Sequence, residues 1–283
     1  MKEEAFQTKL QNVVEAFARR VQEEFKHRVK KWPADVTRNE IREVVGALLA
    51  RQVTLAIQLA ACASNWNGHI APLFLRTMAD VYINVAWVLC DPDDRAKKFI
   101  LYGLGQAKLE LEHRRADLAT RAAKRGEIER NQTQEDWINR QRATFLTDVN
   151  LGSWSGISTR TMADEAGCID FYNYVYTPFS SCTHSTWYHV ARYNLSPCNN
   201  PLHRYHSVPA IIDVPFDPHY LHLAARYLQK TFAKFDEAFG KFTKQKSALD
   251  VLTNGLAKLE REARKPSTSR QRSKRVRRRV RAK

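Results

Sequence analysis

In LFLRTMADVYINVAW, Arg76, Asp80 and Asn84 stand at intervals of four, a spacing that draws one narrow polar stripe along an otherwise apolar helix. A guanidinium can hold phosphoryl charge and a carboxylate can exchange a proton. Far downstream, FSSCTHST places Ser181 and His184 three apart, so a helix would turn both toward one spot. Imidazole titrates near neutrality and can serve as acid or base. Arg76, Asp80 and His184 are therefore the expected catalytic set, assembled from two distant helices. A structural reading stands beside it: Arg76 and Asp80 form an ion pair that orients neighbouring helices, and His184 is a packed imidazole. Burying unpaired charge is expensive, so the stripe must be paired or face a wet cleft.

Other residues invite a weaker chemistry. His203 with His206 and His219 with His222 are two His-x-x-His pairs, with Asp213 and Asp217 between them. Zinc uses such ligands, but no His-Glu-x-x-His motif or cysteine pair accompanies them. Surface histidines around a proline-rich loop are the simpler account, so no metal is assigned and a metal-dependent hydrolase ranks third. Ser181 lacks the surroundings of an activated nucleophile. No cofactor is implied.

The elements that must position these groups are helical. Ten Gly and ten Pro in 283 residues, with long stretches free of turn signals, favour an all-α chain. Apolar spacing predicts helices over 3–31, 38–64, from 69–72 through Cys90, and from Asp91 to about Lys124. Asp91-Pro92 reads as a helix start capped by Asp91. Thr133 and Asp136 resemble a capping box for a helix to about Thr147. Ser158 caps a short helix, 169–190 continues as one helix kinked near Pro178, and 194–216 is a long loop. Two further helices cover 217–240 and 246–263.

The net charge of +16 is unevenly placed: from Arg264 onward there are eleven Lys or Arg and no acid, which leaves +5 on the rest. Arg270, Arg272, Lys274, Arg275, Arg277, Arg278, Arg279 and Arg281 dominate this segment, which is expected to be disordered when free and to bind polyphosphate by counterion release. Five cysteines without paired spacing fit reduced thiols in a cytoplasmic protein. The N-terminus lacks a signal-peptide pattern. The apolar stretches 44–63 and 70–90 carry charges that argue against a transmembrane segment.

The run LFLRTMADVYINVAWVLCDPDDRAKKFILYGL, followed by TMADEAGCIDFYNYVYTPFSSCTHST, resembles an uncharacterised bacterial all-helical family over roughly residues 40–195. The shared positions are Arg76, Asp80, Arg95, Phe99, Tyr102, Gly103, Tyr172, Tyr176, Ser181 and His184, with Asp80 replacing a commoner Glu. This family is similar in helical layout to HEPN domains, many of them metal-independent ribonucleases of toxin and phage-defence systems. Those enzymes use an Arg followed by His after four to six intervening residues, and nothing within 40–195 has that spacing. With Asn84 from the stripe, the resemblance makes Tyr102, Tyr176 and Ser181 the expected substrate-binding residues.

The expected fold is a single all-α bundle of about eight helices over 1–263, with its core at 38–112 and 158–190, followed by the basic tail at 264–283. The leading functional expectation is a nucleic-acid-associated bacterial effector with an RNase-like site. The alternative is a non-catalytic helical interaction module docked on RNA or DNA by its tail. Homo-oligomerisation is left open.

Overall fold

The computed structural model describes residues 2–141, 154–241 and 245–264. α1 (Lys2–Lys31) buries Leu10, Val14, Phe17 and Val21, a stripe with the three- and four-residue spacing of an amphipathic helix. A 3-10 turn capped by Asp35, whose carboxylate accepts from the Thr37 N–H, leads into α2 (Asn39–Ala61). Val45, Leu49, Ala56 and Leu59 of α2 are fully buried. Trp66 then closes the end of this helix, buried and donating its indole N–H to the Leu59 carbonyl at 2.7 Å. α3 (Ala71–Val88) carries Pro72 in its first turn, where a missing N–H costs nothing.

α4 (Pro92–Thr120) and α5 (Glu127–Arg140) form a charged pair held by Arg114 to Gln134 and Arg115 to Glu135. α6 (Thr159–Glu165) starts as expected, with the Ser158 hydroxyl accepting from the Thr161 N–H. α7 (Ile169–Phe171), a π-helical stretch (Tyr172–Tyr176) and α8 (Thr177–Thr183) run on from one another. α9 (Trp187–Tyr193), a small antiparallel hairpin of β1 (Leu195–Pro197) and β2 (Ser207–Pro209), α10 (His219–Phe239) and α11 (Ala248–Arg264) complete the order.

The all-α expectation holds. One buried cluster runs through α1, α2, α3, α6, α10 and α11, so it reaches beyond 38–112 and 158–190 to include Phe17, Leu228, Phe232, Phe235 and Leu252. α2 is long and apolar enough to cross a membrane by composition, and more than half of its most apolar stretch is buried against protein.

Five local expectations change. α4 ends at Thr120 because Arg121 turns extended, and Asp91 makes no side-chain cap bond. α5 begins at Glu127 rather than near Thr133: the Glu127 carboxylate takes the Lys124 N–H and the Arg121 guanidinium, while Thr133 bonds back to the Glu129 carbonyl inside the helix. The stretch 169–190 is not one helix, since α8 stops at His184 and Ser185 adopts a left-handed φ of 48°. The loop 194–216 contains the β1–β2 hairpin. The continuation of α5 toward Thr147 and the basic segment 265–283 lie outside the described residues.

Candidate functional site

Pro178 in the first turn of α8 has no N–H to give, and the helical chain meets it through the π-helical stretch. The Thr177 hydroxyl bonds back to the Tyr172 carbonyl at 3.1 Å across this widened turn. Tyr172 and Tyr176 stack with centroids 4.7 Å apart. Tyr176 is thereby presented to α3, where the Arg76 guanidinium carbon lies 3.2 Å from its ring centroid.

Arg76 is nearly buried and heavily engaged. Its Nε donates to the Ser180 hydroxyl at 2.7 Å, its NH1 pairs with the Asp80 carboxylate, and the Ser180 hydroxyl in turn donates to the Tyr176 carbonyl at 2.8 Å. NH2 has no hydrogen bond among the described residues. Burial pushes the Asp80 carboxyl upward against the pull of Arg76, although its side chain keeps about 41% of its surface exposed. The result is a charge pair with an aromatic lid, one guanidinium nitrogen open and one carboxylate oxygen within reach of solvent.

Of the expected residues, the structure joins Arg76, Asp80 and Tyr176. Ser180, rather than Ser181, receives the Arg76 bond, and the Ser181 carbonyl accepts from Thr186 in the turn after α8. His184 caps α8, with its N–H bonded to the Ser180 carbonyl at 3.0 Å. Its exposed ring has no hydrogen-bond, ion-pair or ring partner among the described residues. His184 thus stands one turn past Ser180 toward the start of α3, where the Cys182 thiol meets the His69 carbonyl. Asp80 lies one turn from Arg76 in the other direction, so no contact joins His184 to the Arg76–Asp80 pair among the described residues. Asn84 is half-buried further along α3, and Tyr102 is half-buried on α4.

Three charged features escape a reading of the stripe alone. Arg95 lies with its guanidinium carbon 3.8 Å from the Trp87 ring centroid and pairs with Glu165, which also accepts from the Trp87 indole at 2.6 Å. This ties α3, α4 and α6 together. Arg28, buried on α1, grips Asp236 of α10 through two bonds of 2.8 and 2.7 Å. Arg20 and His27 on α1 do have six residues between them, outside 40–195, but Arg20 is occupied by Glu23, Gln245 and the Lys246 carbonyl.

Residues 42–201 match a protein-family model over more than half of the chain. The chain belongs to DUF5677, a family of unknown function. The DUF5677 match runs from the first turns of α2 through the hairpin's first strand, and so contains the whole Arg76–Asp80–Tyr176–Ser180 cluster and the Arg95–Glu165 tie. No curated protein and no solved structure matches the chain. α10, which fills much of the core, lies beyond the DUF5677 segment.

Proposed function

We propose that this protein binds nucleic acid, docking through the basic segment from Arg264 onward and seating a single strand in the groove between α10 and the stretch that runs from α7 through the π-helical turn into α8. The observation that carries the reading is charge placement: eleven cations and no acid from residue 264, against +5 on the preceding residues. Such a segment gains affinity by displacing counterions from phosphate and contributes no base readout. The helical body supplies a second support. A groove of ≈ 640 Å³ is walled by Phe171, Tyr174 and Phe179 on one side and by Arg226 and Lys230 on the other, with Asp170 also lining it. Tyr174 is 79% exposed, and an open aromatic face beside two cations suits a stacked base with its phosphate alongside. Five free cysteines are compatible with a reducing, cytoplasmic setting.

The test is fluorescence anisotropy of a labelled single-stranded RNA at several salt concentrations. The intact chain should bind with strong salt dependence, and the chain truncated after residue 263 should lose most of the affinity and most of the salt slope. Tyr174→Ala should weaken the remaining binding by about tenfold, within the ~1–3 kcal/mol of one base stack. Absence of binding, or binding indifferent to truncation and salt, overturns the reading.

A second reading is a metal-independent, HEPN-like ribonuclease. It is favoured by the open NH2 of Arg76, the upward-shifted Asp80 carboxyl and the solvent-facing His184 one turn from Ser180. Cleavage of RNA in EDTA that disappears in a folded His184→Ala variant supports it; unchanged cleavage in that variant removes His184 from the chemistry.

A further inference from the structure

The β1–β2 hairpin carries a donor set that neither the binding groove nor the Arg76 cluster uses. Cys198 follows β1 directly and His206 precedes β2 directly. The ladder pairs Pro197 with Ser207, and one step further the Cys198 N–H donates to the His206 carbonyl at 2.9 Å, so these two residues face each other across the mouth of the loop. Within the loop, Asn200 accepts from the Leu202 N–H through its side chain and from the His203 N–H through its carbonyl. These turns fold His203 back onto the strand ends. Its Nδ1 comes to 3.7 Å from the Cys198 sulfur, and one donor atom from each of Cys198, His203 and His206 lies within 4.8 Å of the others.

We infer that Cys198, His203 and His206 form a zinc-binding site. Zinc bonds thiolate at about 2.3 Å and imidazole at about 2.0–2.1 Å, so two ligands on a tetrahedron stand about 3.6 Å apart for sulfur and nitrogen and about 3.3 Å for two nitrogens. The observed 3.7 Å matches the first edge, and the remaining separations close by side-chain rotation in an exposed loop. One thiolate with two imidazoles is a donor set suited to Zn²⁺ and poor for Mg²⁺ or Ca²⁺. Binding releases the thiol proton, and it requires that the ring nitrogen facing the ion carry none. Three protein ligands leave the fourth position for water or for a donor from another molecule.

The loop also needs such a clip. Leu202 and Tyr205, its large apolar side chains, are 89% and 101% exposed and give it no core. A metal ion can supply the ordering free energy that apolar burial does not. Sequence spacing alone pairs His203 and His206 with His219 and His222; the structure replaces that second pair with Cys198, in the pattern Cys-x4-His-x2-His.

The experiment uses the full chain without a polyhistidine tag, reduced, stripped with a chelator, and equilibrated with zinc or with cobalt(II) as a spectroscopic substitute. One equivalent of zinc should be retained through dialysis. Cobalt should give the tetrahedral ligand-field bands together with a thiolate-to-cobalt charge-transfer band. Cys198→Ser should abolish the charge-transfer band, and the triple variant Cys198→Ala, His203→Ala, His206→Ala should lose stoichiometric binding while its helical circular dichroism is unchanged. A His219→Ala, His222→Ala variant should bind as the parent does. Failure of the intact chain to retain metal, retention by the triple variant, or loss in the His219/His222 variant overturns the assignment.

Discussion

The Arg76 guanidinium carbon sits 3.2 Å from the centroid of the Tyr176 ring, which makes the π-helical stretch part of the α3 charge pair rather than a separate irregularity. Cation–π contacts of this kind contribute roughly 0.5–2 kcal/mol, with more when water is excluded. Their size is measurable only as a coupling, because removing Arg76 also strands the Asp80 carboxylate and takes a partner from Ser180. In a double-mutant cycle of Arg76→Met and Tyr176→Leu, urea denaturation should yield a favourable coupling of about 1 kcal/mol. Independent, additive effects would mean that Tyr176 merely covers the pair.

Asp80 gives that pair a pH signature. Burial holds its native carboxyl above the ordinary value of 3.8, so the folded chain keeps the proton when the unfolded chain has already released it. Below 3.8 both states are protonated and the group is neutral for stability. As pH rises through that value the native state loses stability, and the loss levels off once its own carboxyl ionises. Comparing the parent with Asp80→Asn across this window cancels the opposite trend of Asp35, Glu127 and Asp250, whose carboxyls are held low by hydrogen bonds or an ion pair. The parent's stability relative to Asp80→Asn should fall with rising pH between 3.8 and the raised native value, and be flat outside it. A difference that grows in the parent's favour would show that Arg76 outweighs desolvation.

Much of this arrangement was legible in local spacing. Residues 3–31 have three- and four-residue apolar spacing, and α1 follows it; Arg76 and Asp80 sit one turn apart, and they pair. What local spacing misses is registry between distant segments. Ser180 and Ser181 are equivalent as letters, and only the π-helical offset before Pro178 decides which of them faces Arg76. Arg28 and Asp236 are separated by 208 positions and meet only because the long Arg28 side chain reaches from α1 to α10, where its guanidinium also lies over the Phe232 ring. Thr133 resembles a cap because Ser and Thr hydroxyls serve both as caps and as back-bonded interior residues, and the stronger start signal is Glu127 reaching back to Lys124. Cys198 carries no local signal, because His203 and His206 are brought to it by the fold of a hairpin and not by a paired-cysteine spacing.

Gly255 illustrates how the terminal helices are fitted. An alanine in the middle of α11 should gain about 1 kcal/mol of helix propensity over glycine. Here the added Cβ would lie 2.6 Å from Val13 Cγ1 and 3.0 Å from Cγ2 on α1, and a β-branched side chain has little freedom to retreat. Overpacking of this kind costs roughly 1–3 kcal/mol, so Gly255→Ala should lower the denaturation midpoint despite its better propensity. Adding Val13→Ala should restore a substantial part of the loss. If Gly255→Ala is itself stabilising, the α1–α11 contact has room that this packing denies.

Gln52 tests a different balance, because it is fully buried in α2 with one satisfied end. Its Nε2 donates to the Met78 carbonyl at 3.2 Å and to the Thr231 hydroxyl at 2.9 Å, while Oε1 has no partner among the described residues. Thr231 already donates its own proton to the Tyr227 carbonyl, so it survives the loss of Gln52 without an orphaned donor. Gln52→Leu therefore removes two modest hydrogen bonds together with one buried unpaired acceptor, and the net change should stay within about 1 kcal/mol. Gln52→Ala loses the same bonds and leaves a cavity among α2, α3 and α10, which should cost roughly 2–4 kcal/mol, as for other large-to-small core substitutions. Equilibrium unfolding of the two variants separates the terms: a Leu variant as unstable as the Ala variant would make the bonds to Met78 and Thr231, not the filled volume, the reason this glutamine is tolerated in the core.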